Sequence, residues 1–549
     1  MGSVVVFGCV LAFVTVTRCY DLKMGLLLPH NDDGAIKYRM GYSTSAAAVT
    51  IALDKVRREQ LLPDANISII WRFDQCDESL AAGHTVDLLK NEKVDVIIGP
   101  PCSVPAEIVA VLAKYYNTPM FSWAATNIIE KDVERFNTLV RVIGSAYRIG
   151  RAMRELLLYF DWTRVALFYT DDKATRKCLS VAQGAFKHFP LGGIHIVLFH
   201  EIDRERPTDD EIDAFLNQFP SLTRIVLICI DADEDNRRFL LRAQERGLAG
   251  EEFVYIIPDY VRDENMTDIW TDRRENADTR NVEARRAMEN VIFIDMQLGS
   301  NEDLWAFKQQ IPKRMKQWPF FYNSDMKDEQ YDTRGDKDKN DGYHRVNEEQ
   351  KQQLGSLYSP FLHDSVYLYA LALNRSIQEG INITDGRAVS NMTTNMQFHG
   401  ISGHVVIDST MGREPSFVLK VFDRHGKLVP VLVAEMYKND GQVAKLLVPE
   451  ETIWENRFGY KPTWYPRCGW FGELCADNLK QIMPWLILGS VLGGIVLIVV
   501  IAGCLVMFRR KLLADEMALM LWKINPRELE RLVDVVSELD EAQETLPCS

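Results

Sequence analysis

The sequence predicts an α/β protein built of two doubly wound lobes of parallel sheet and helix, followed by one transmembrane helix. Three observations carry this expectation. Short Val/Ile/Leu-rich runs alternate with helix-length amphipathic stretches from Leu22 to Ile257, and continuous apolar strands joined by helices belong to parallel sheets covered on both faces. The run Trp485 to Phe508 contains no charged residue. The chain of 549 residues is 47% hydrophobic and 26% charged, a globular composition that excludes wholesale disorder or a low-complexity fibre. Its net charge of −14 also argues against a nucleic-acid partner, which requires a basic face.

In chain order, the first element is the apolar run Val4 to Val16, shorter than the roughly 20 residues a bilayer span needs. Small residues at Thr17 and Cys19 suit cleavage before Tyr20, so residues 1–19 read as a secretory signal. Strands are expected at Leu22–Leu28, Ile67–Phe73, Val94–Ile98, Met120–Trp123, Val165–Tyr169, Ile194–Phe199, Ile225–Ile230 and Phe253–Ile257. Helices are expected at stretches such as Tyr42–Arg58, Leu80–Leu89, Ala106–Tyr115, Tyr147–Tyr159 and Arg237–Arg246. In the last of these, apolar positions recur at three- and four-residue steps. The lobes are expected to divide near Arg141 to Ala146. The polar stretch Asn323 to Gly355 buries too little surface to offset chain entropy and reads as a surface loop. Beyond it, Phe361 to Glu379 reads as a helix, and Val405–Ile407 and Phe417–Phe422 as antiparallel strands.

The span Trp485 to Phe508 covers about 36 Å at 1.5 Å per residue, enough to cross a bilayer core of about 30 Å with some tilt. Arg509-Arg510-Lys511 follow at once and place the C-terminus in the cytoplasm by the positive-inside rule. The expected layout is therefore a signal at 1–19, an extracellular domain at 20–450, a stem at 451–483, a transmembrane helix at 484–508 and a tail at 509–549, in a single-pass type I protein of the plasma membrane. Gly489 and Gly493 stand at the spacing that lets two membrane helices approach closely, a candidate dimer seam.

Six of the ten cysteines fall in the expected exterior: Cys76, Cys102, Cys178, Cys229, Cys468 and Cys475. An even number in an oxidising compartment reads as three disulfides. Fifteen connectivities are open to six cysteines; pairing in sequence order closes the shortest loops. Sequons at Asn66, Asn265, Asn382 and Asn391 agree with a glycosylated exterior, while that at Asn374 falls in an expected helix. Catalytic and cofactor signals are absent: there is no P-loop, dinucleotide loop, nucleophile elbow or paired zinc-ligand spacing, and the histidines are scattered. The acidic run Asp231, Asp233, Glu234, Asp235 reads as the charged start of a helix rather than as a metal site.

Several stretches resemble the extracellular region of receptor guanylate cyclases and natriuretic peptide receptors. They are Val94-Asp95-Val96-Ile97-Ile98-Gly99-Pro100-Pro101-Cys102, Tyr169-Thr170-Asp171-Asp172-Lys173 through Cys178, Phe361 to Leu373, and Phe398-His399-Gly400-Ile401-Ser402-Gly403-His404-Val405-Val406-Ile407-Asp408. The juxtamembrane Pro466-Arg467-Cys468-Gly469-Trp470 through Cys475 is similar to the invertebrate receptor cyclases above all. Glu516 through Leu521-Trp522-Lys523-Ile524 resembles the opening of their cytoplasmic region.

The resemblance implies a type I periplasmic-binding-protein-like fold with two lobes, an extracellular ligand, and a homodimer or a heterodimer with a receptor cyclase, without a cofactor. It also implies pairing of Cys76 with Cys102, Cys178 with Cys229, and Cys468 with Cys475, the last expected to stiffen the stem. Two departures stand out. Natriuretic peptide receptors carry Gly-Pro-Gly-Cys at a chloride-holding turn, whereas Pro101 here has no N–H to donate. The peptide-contacting aromatic expected two residues after that cysteine is Val104. The 41 residues after Phe508 are fewer than a kinase-homology or cyclase domain needs, so the chain as written is expected to sense without making cyclic GMP. It then reads as a truncated form of a longer cyclase, with a short clearance-type receptor or a channel-modulating ectodomain as the alternatives.

Overall fold

The computed structural model describes residues 20–30, 39–127, 134–171, 176–204, 206–230, 233–259, 261, 269–272, 278–322, 354–435, 444–519, 525 and 527–531. The expected signal at 1–19 and nearly all of the polar stretch 323–355 lie outside these residues. The chain divides into two compact units, Met1–Arg467 and Cys468–Ser549.

The first unit holds two sheets that form two lobes. In lobe 1, β1 (Tyr20–Leu28), β2 (Ala65–Phe73), β3 (Val96–Ile98), β4 (Met120–Ser122) and β5 (Leu139–Arg141) form a parallel sheet of order β2-β1-β3-β4-β5. Alternation along each strand feeds two cores. Met24, Leu26, Val96, Ile98, Phe121 and Val140 enter one together with the Ala-rich face of α1 (Ala47–Arg58). Leu27, Ile97, Met120 and Leu139 enter the other, with residues of α2 (Glu78–Val86) and α3 (Ser103–Tyr115). A strand buried on both faces has no polar register to display, which explains its unbroken apolar sequence.

Lobe 2 repeats the pattern with β6 (Arg164–Thr170), β7 (His195–Ile202), β8 (Ile225–Cys229), β9 (Val254–Pro258) and β10 (Val291–Met296), interleaved with α4 (Ile149–Tyr159), α5 (Lys177–His188), α6 (Asp209–Gln218), α7 (Asp233–Glu245) and α8 (Asn281–Met288). Val165, Leu167 and Tyr169 of β6 share one core with α4 and α5; Ala166 and Phe168 meet Phe215 of α6 and Phe239 of α7 in another. Asp233, Glu234 and Asp235 of the acidic run open α7, as expected of a helix start, while Asp231 lies outside the described residues. The chain then supplies α9 (Asn301–Met315), α10 (Ser359–Gln378), α11 (Gly386–Asn391) and the hairpin β11–β12 (Gln397–Gly400, Gly403–Val406), with α9 and α10 packed on α1 of lobe 1. It ends by adding β13 (Phe417–Phe422), β14 (Leu428–Ala434) and β15 (Ala444–Leu446) antiparallel beside β10, so the second sheet runs β15-β14-β13-β10-β9-β8-β6-β7. Among the described residues the chain thus passes between lobes three times, after β5, after β10 and before β13.

Each of the ten expected strands overlaps an observed one, within a few residues at the ends. Five of the observed strands, β5, β10, β11, β14 and β15, have no counterpart among the expected ones. β5 is three residues long, too short for any periodic signal, and β10 is a continuous apolar run that periodicity cannot separate from a buried helix.

Residues 449–467, whose greater part the sequence assigns to the stem, pack on lobe 2 at the N-terminal ends of its strands. Trp454 lies edge-on to Phe160 (5.1 Å), the Trp162 indole donates to Pro462 O (2.8 Å), and the Arg224 amide donates to Trp464 O (2.9 Å). The buried Arg457 donates to the carbonyls of Glu251 (2.5 Å), Phe253 (2.8 Å) and Asn290 (2.7 Å). In the second unit, α12 (Ala476–Ala518) is one continuous helix, and its stretch Met483–Ala518 is long and apolar enough to cross a membrane.

Candidate functional site

Ligands of open parallel α/β sheets bind beyond the carboxyl ends of the strands. Here those ends in the two lobes face one another. Ser180 of α5 in lobe 2 donates to the Asn127 carboxamide of lobe 1, whose own backbone amide donates to Ser103 Oγ at the start of α3 (3.3 Å). Arg176, just before α5, acts electrostatically on Glu107 of α3; burial raises the Glu107 carboxyl, and Arg135 and Arg176 act against that rise. The cleft between the lobes is the candidate site, with Asn127 and Arg176 at its rim.

Two disulfides anchor these strand ends. Cys76, after β2, is bonded to Cys102, which caps α3 (Cα–Cα 5.5 Å); Cys178, in the first turn of α5, is bonded to Cys229 at the end of β8 (5.3 Å). The third bond joins Cys468 to Cys475 in the second unit (4.8 Å), directly before α12. The bonds follow sequence order. Each cleft disulfide closes a loop onto a rigid element, which limits how far the rim can move without moving its lobe.

Beside Cys76 the chain stores a buried carboxyl. Gln75 and Cys76 both adopt left-handed backbone (φ 50° and 56°), and this turns Asp74 inward to full burial. Its Oδ1 accepts from the Cys76 amide (2.9 Å), and Gln75 Oε1 accepts from the His30 amide (2.8 Å). Burial pushes the Asp74 carboxyl up to about 7, against the lowering effect of the Cys76 hydrogen bond. Between pH ~4 and ~7 the unfolded chain therefore ionises here while the folded chain keeps its proton, so the group costs stability as pH rises through that window. We expect Asp74→Asn, which cannot ionise, to be more stable than the parent at pH 7.5 by on the order of 2–4 kcal/mol and nearly equal at pH 4. Denaturant titrations at the two pH values check this; an equal gain at both would mean that packing, not ionisation, governs the position.

The hinge is wired by charge. The Arg141 amide donates to Met411 O and the Arg413 amide to Arg141 O (both 2.9 Å), joining the first and third crossings. Arg148 pairs with Asp408 (2.5 Å) and with Glu414. Burial works to raise Asp408, but the charge and hydrogen bond of Arg148, with Thr410 and the Gly412 amide, outweigh it and hold the carboxyl below its usual range. A second network lies beneath the β11–β12 hairpin. The fully buried Asp364 of α10 accepts from the amides of Ile401 and Ser402 (both 2.9 Å), from Ser402 Oγ (2.5 Å), and pairs with His363 Nδ1 (2.8 Å). Arg413 donates to Ser402 Oγ (2.6 Å) and to the carbonyls of Ser402 (3.2 Å) and His404 (3.0 Å). Gly400 is required there: a Cβ would sit 2.2 Å from Asp364 Oδ2. The stretches Phe361–Leu373 and Phe398–Asp408, singled out by resemblance, supply Asp364, Ser402 and Asp408 to these two networks.

Of the other expected positions, Asn66 is exposed on β2 with Nδ2 donating to Asp21 (3.2 Å), Asn382 is exposed and accepts from Thr384 Oγ1 (2.9 Å), and Asn391 is exposed at the end of α11. Asn265 lies outside the described residues. Gly489 and Gly493 lie on α12 with open space where a Cβ would stand. Among the described residues, no group of three metal-ligating side chains occurs. Asp74, Arg148, Asp364 and Arg413 were not anticipated. Only Asp364 leaves a trace in the sequence, as the lone carboxylate of α10, just ahead of the apolar run Val366–Leu373.

Comparison with known proteins bears on these features together. Residues 44–424 match the family described as the receptor family ligand binding region. The receptor-type guanylate cyclase gcy-13 of Caenorhabditis elegans is 28% identical over 451 residues, covering 80% of this chain and 41% of that protein. The receptor-type guanylate cyclase gcy-20 of the same organism is 27% identical over 536 residues, covering 93% and 46%. The chain thus spans less than half the length of these relatives. A leucine-binding protein of Thermotoga maritima, 15% identical, superimposes with a TM-score of 0.50 over 75% of this chain and 98% of its own, which shows the fold to be that of the periplasmic binding proteins.

Proposed function

The chain belongs to the family of receptor ligand-binding regions and is homologous to nematode receptor-type guanylate cyclases, and on that ground we propose that it is a single-pass cell-surface receptor of cyclic-GMP signalling. The observation that carries the reading is the family match over 44–424, which spans both lobes and the hinge, in a chain that also holds a membrane-length apolar helix. In this reading residues 1–19 are a signal, the two lobes and the Cys468–Cys475 loop are extracellular, and the basic cluster after Phe508 keeps the tail in the cytoplasm. Exposure at Asn66, Asn382 and Asn391 supports glycosylation there, and Asn265 is proposed from its sequon alone.

An extracellular ligand, a peptide or small molecule, enters the cleft and favours one relative orientation of the lobes, a population shift between states already accessible through the three crossings. The full chain in lipid nanodiscs, screened by thermal shift, tests this. The expected result is a ligand whose binding weakens on Asn127→Ala or Arg176→Ala; a ligand indifferent to both rim substitutions would remove the cleft from the reading.

Paired chains are proposed to meet along Gly489 and Gly493, where small residues permit close helix approach. Replacing both by Leu is expected to cut the crosslinked dimer in membranes about tenfold. Undiminished crosslinking would place the seam elsewhere.

A further inference from the structure

The β11–β12 hairpin carries two histidines face to face. His399 and His404 are direct cross-strand partners, one pair removed from the turn, with ring centroids 4.9 Å apart. The turn between them, Ile401-Ser402, delivers the hydroxyl and amides held by Asp364 and Arg413, and Gly403 (φ 99°) lies against the second crossing at Leu298 and Gly299. The histidine pair therefore sits on the piece of chain that holds two of the three crossings in place.

We propose that this pair is a proton-operated switch of the hinge: when both rings are protonated, two cations face each other beside Arg413 and the hairpin loosens from the crossings. The charged groups around it are unevenly signed. Arg413 lies on the third crossing and donates to the His404 carbonyl. Lys55 of α1 reaches the His399 carbonyl (3.4 Å) while lying over the Tyr367 ring. Of the acids, Asp364 on α10 is already engaged by Ser402 and His363, and Glu59 accepts from Tyr367 (2.6 Å). Glu435, after β14, is the acid that acts on His404 in the opposite sense. Burial, then His399 and Arg413, lower the proton affinity of His404 below the ordinary histidine value. A base lowered in the folded state contributes stability that is present above pH ~6.5 and lost as pH falls below it. Like charges directly opposite across an antiparallel pair act in the same direction.

The test is hydrogen–deuterium exchange of the full chain in nanodiscs, with a chelator present, at pH 7.5 and 5.5, corrected for intrinsic exchange. Amides of residues 397–406 and 411–413 are expected to exchange about tenfold faster at pH 5.5, with the β6 and β8 strands unchanged. His399→Gln together with His404→Gln is expected to abolish the difference. The single variant His399→Gln, at the exposed member, keeps the test sound if the double variant folds poorly, and is expected to reduce it by more than half. A pH response that persists in either variant at the parental size, or its absence in the parent, overturns the proposal.

Discussion

Replacing Asp364 by Ala is expected to cost about 3–5 kcal/mol of folding stability, the range for removing one partner from a buried charged network. The carboxylate accepts from two backbone amides, one hydroxyl and one imidazole, and Asp364, His363 and Ser402 are all buried. Arg413, itself buried, would lose the anion that polarises Ser402 toward it. Burial alone would raise Asp364, but His363 and Ser402 hold it below the usual carboxylate range, so it is charged at neutral pH and the loss is that of a charge. Because the depressed carboxyl stabilises above the unfolded value, its contribution is full at pH 7 and fades only in strong acid. Asp364→Asn, which keeps an oxygen acceptor, should cost less than half as much. Denaturant unfolding of the full chain reads both; a cost below 1 kcal/mol for the Ala variant would mean the hairpin is held by packing alone.

The second large effect is expected at the other end of lobe 2. Arg457→Leu leaves three carbonyls at the strand starts, those of Glu251, Phe253 and Asn290, without their donor, at about 1–3 kcal/mol for each buried group not rescued by water. Burial pushes the Arg457 guanidinium down to about 9, so it remains charged at pH 7 and binds the carbonyls as a cation. We expect about 3 kcal/mol in total, because the exposed margin of this segment lets water in. The informative readout is local: exchange of residues 449–467 should rise by more than that of β8 and β9, since Trp454 and Trp464 lose their anchor first. Equal acceleration throughout lobe 2 would show the segment to be part of the lobe's cooperative core.

How much of this was legible in the sequence follows from the kind of signal each part leaves. Val165–Tyr169 and Ile225–Ile230 announce themselves because a strand covered on both faces must be apolar throughout. The cysteines announced a count and, through resemblance, a pairing. The hinge announced nothing of its chemistry: Arg148 and Glu414 are 266 residues apart, and no local pattern links them. Residues 451–467 read as part of the stem because their attachment to lobe 2 runs largely through backbone carbonyls, those of Glu251, Phe253 and Asn290 on one side and of Pro462 and Trp464 on the other, which have no signature in any side-chain sequence.

The sequence by itself determined the α/β class, ten of the fifteen strands among the described residues, the six cysteines that form disulfides and one run long enough to cross a membrane. Those features depend on composition and short periodicity, which burial imposes residue by residue. Only the tertiary structure decided that the chain crosses three times between lobes, that Asp364, Ser402 and Arg413 form one network, that two histidines meet at the hinge, and that Arg457 binds the base of lobe 2. Apart from the histidine pair, which one tight hairpin brings together, each of these joins positions far apart in the chain, and a contact between distant residues is a property of the folded path rather than of either sequence neighbourhood.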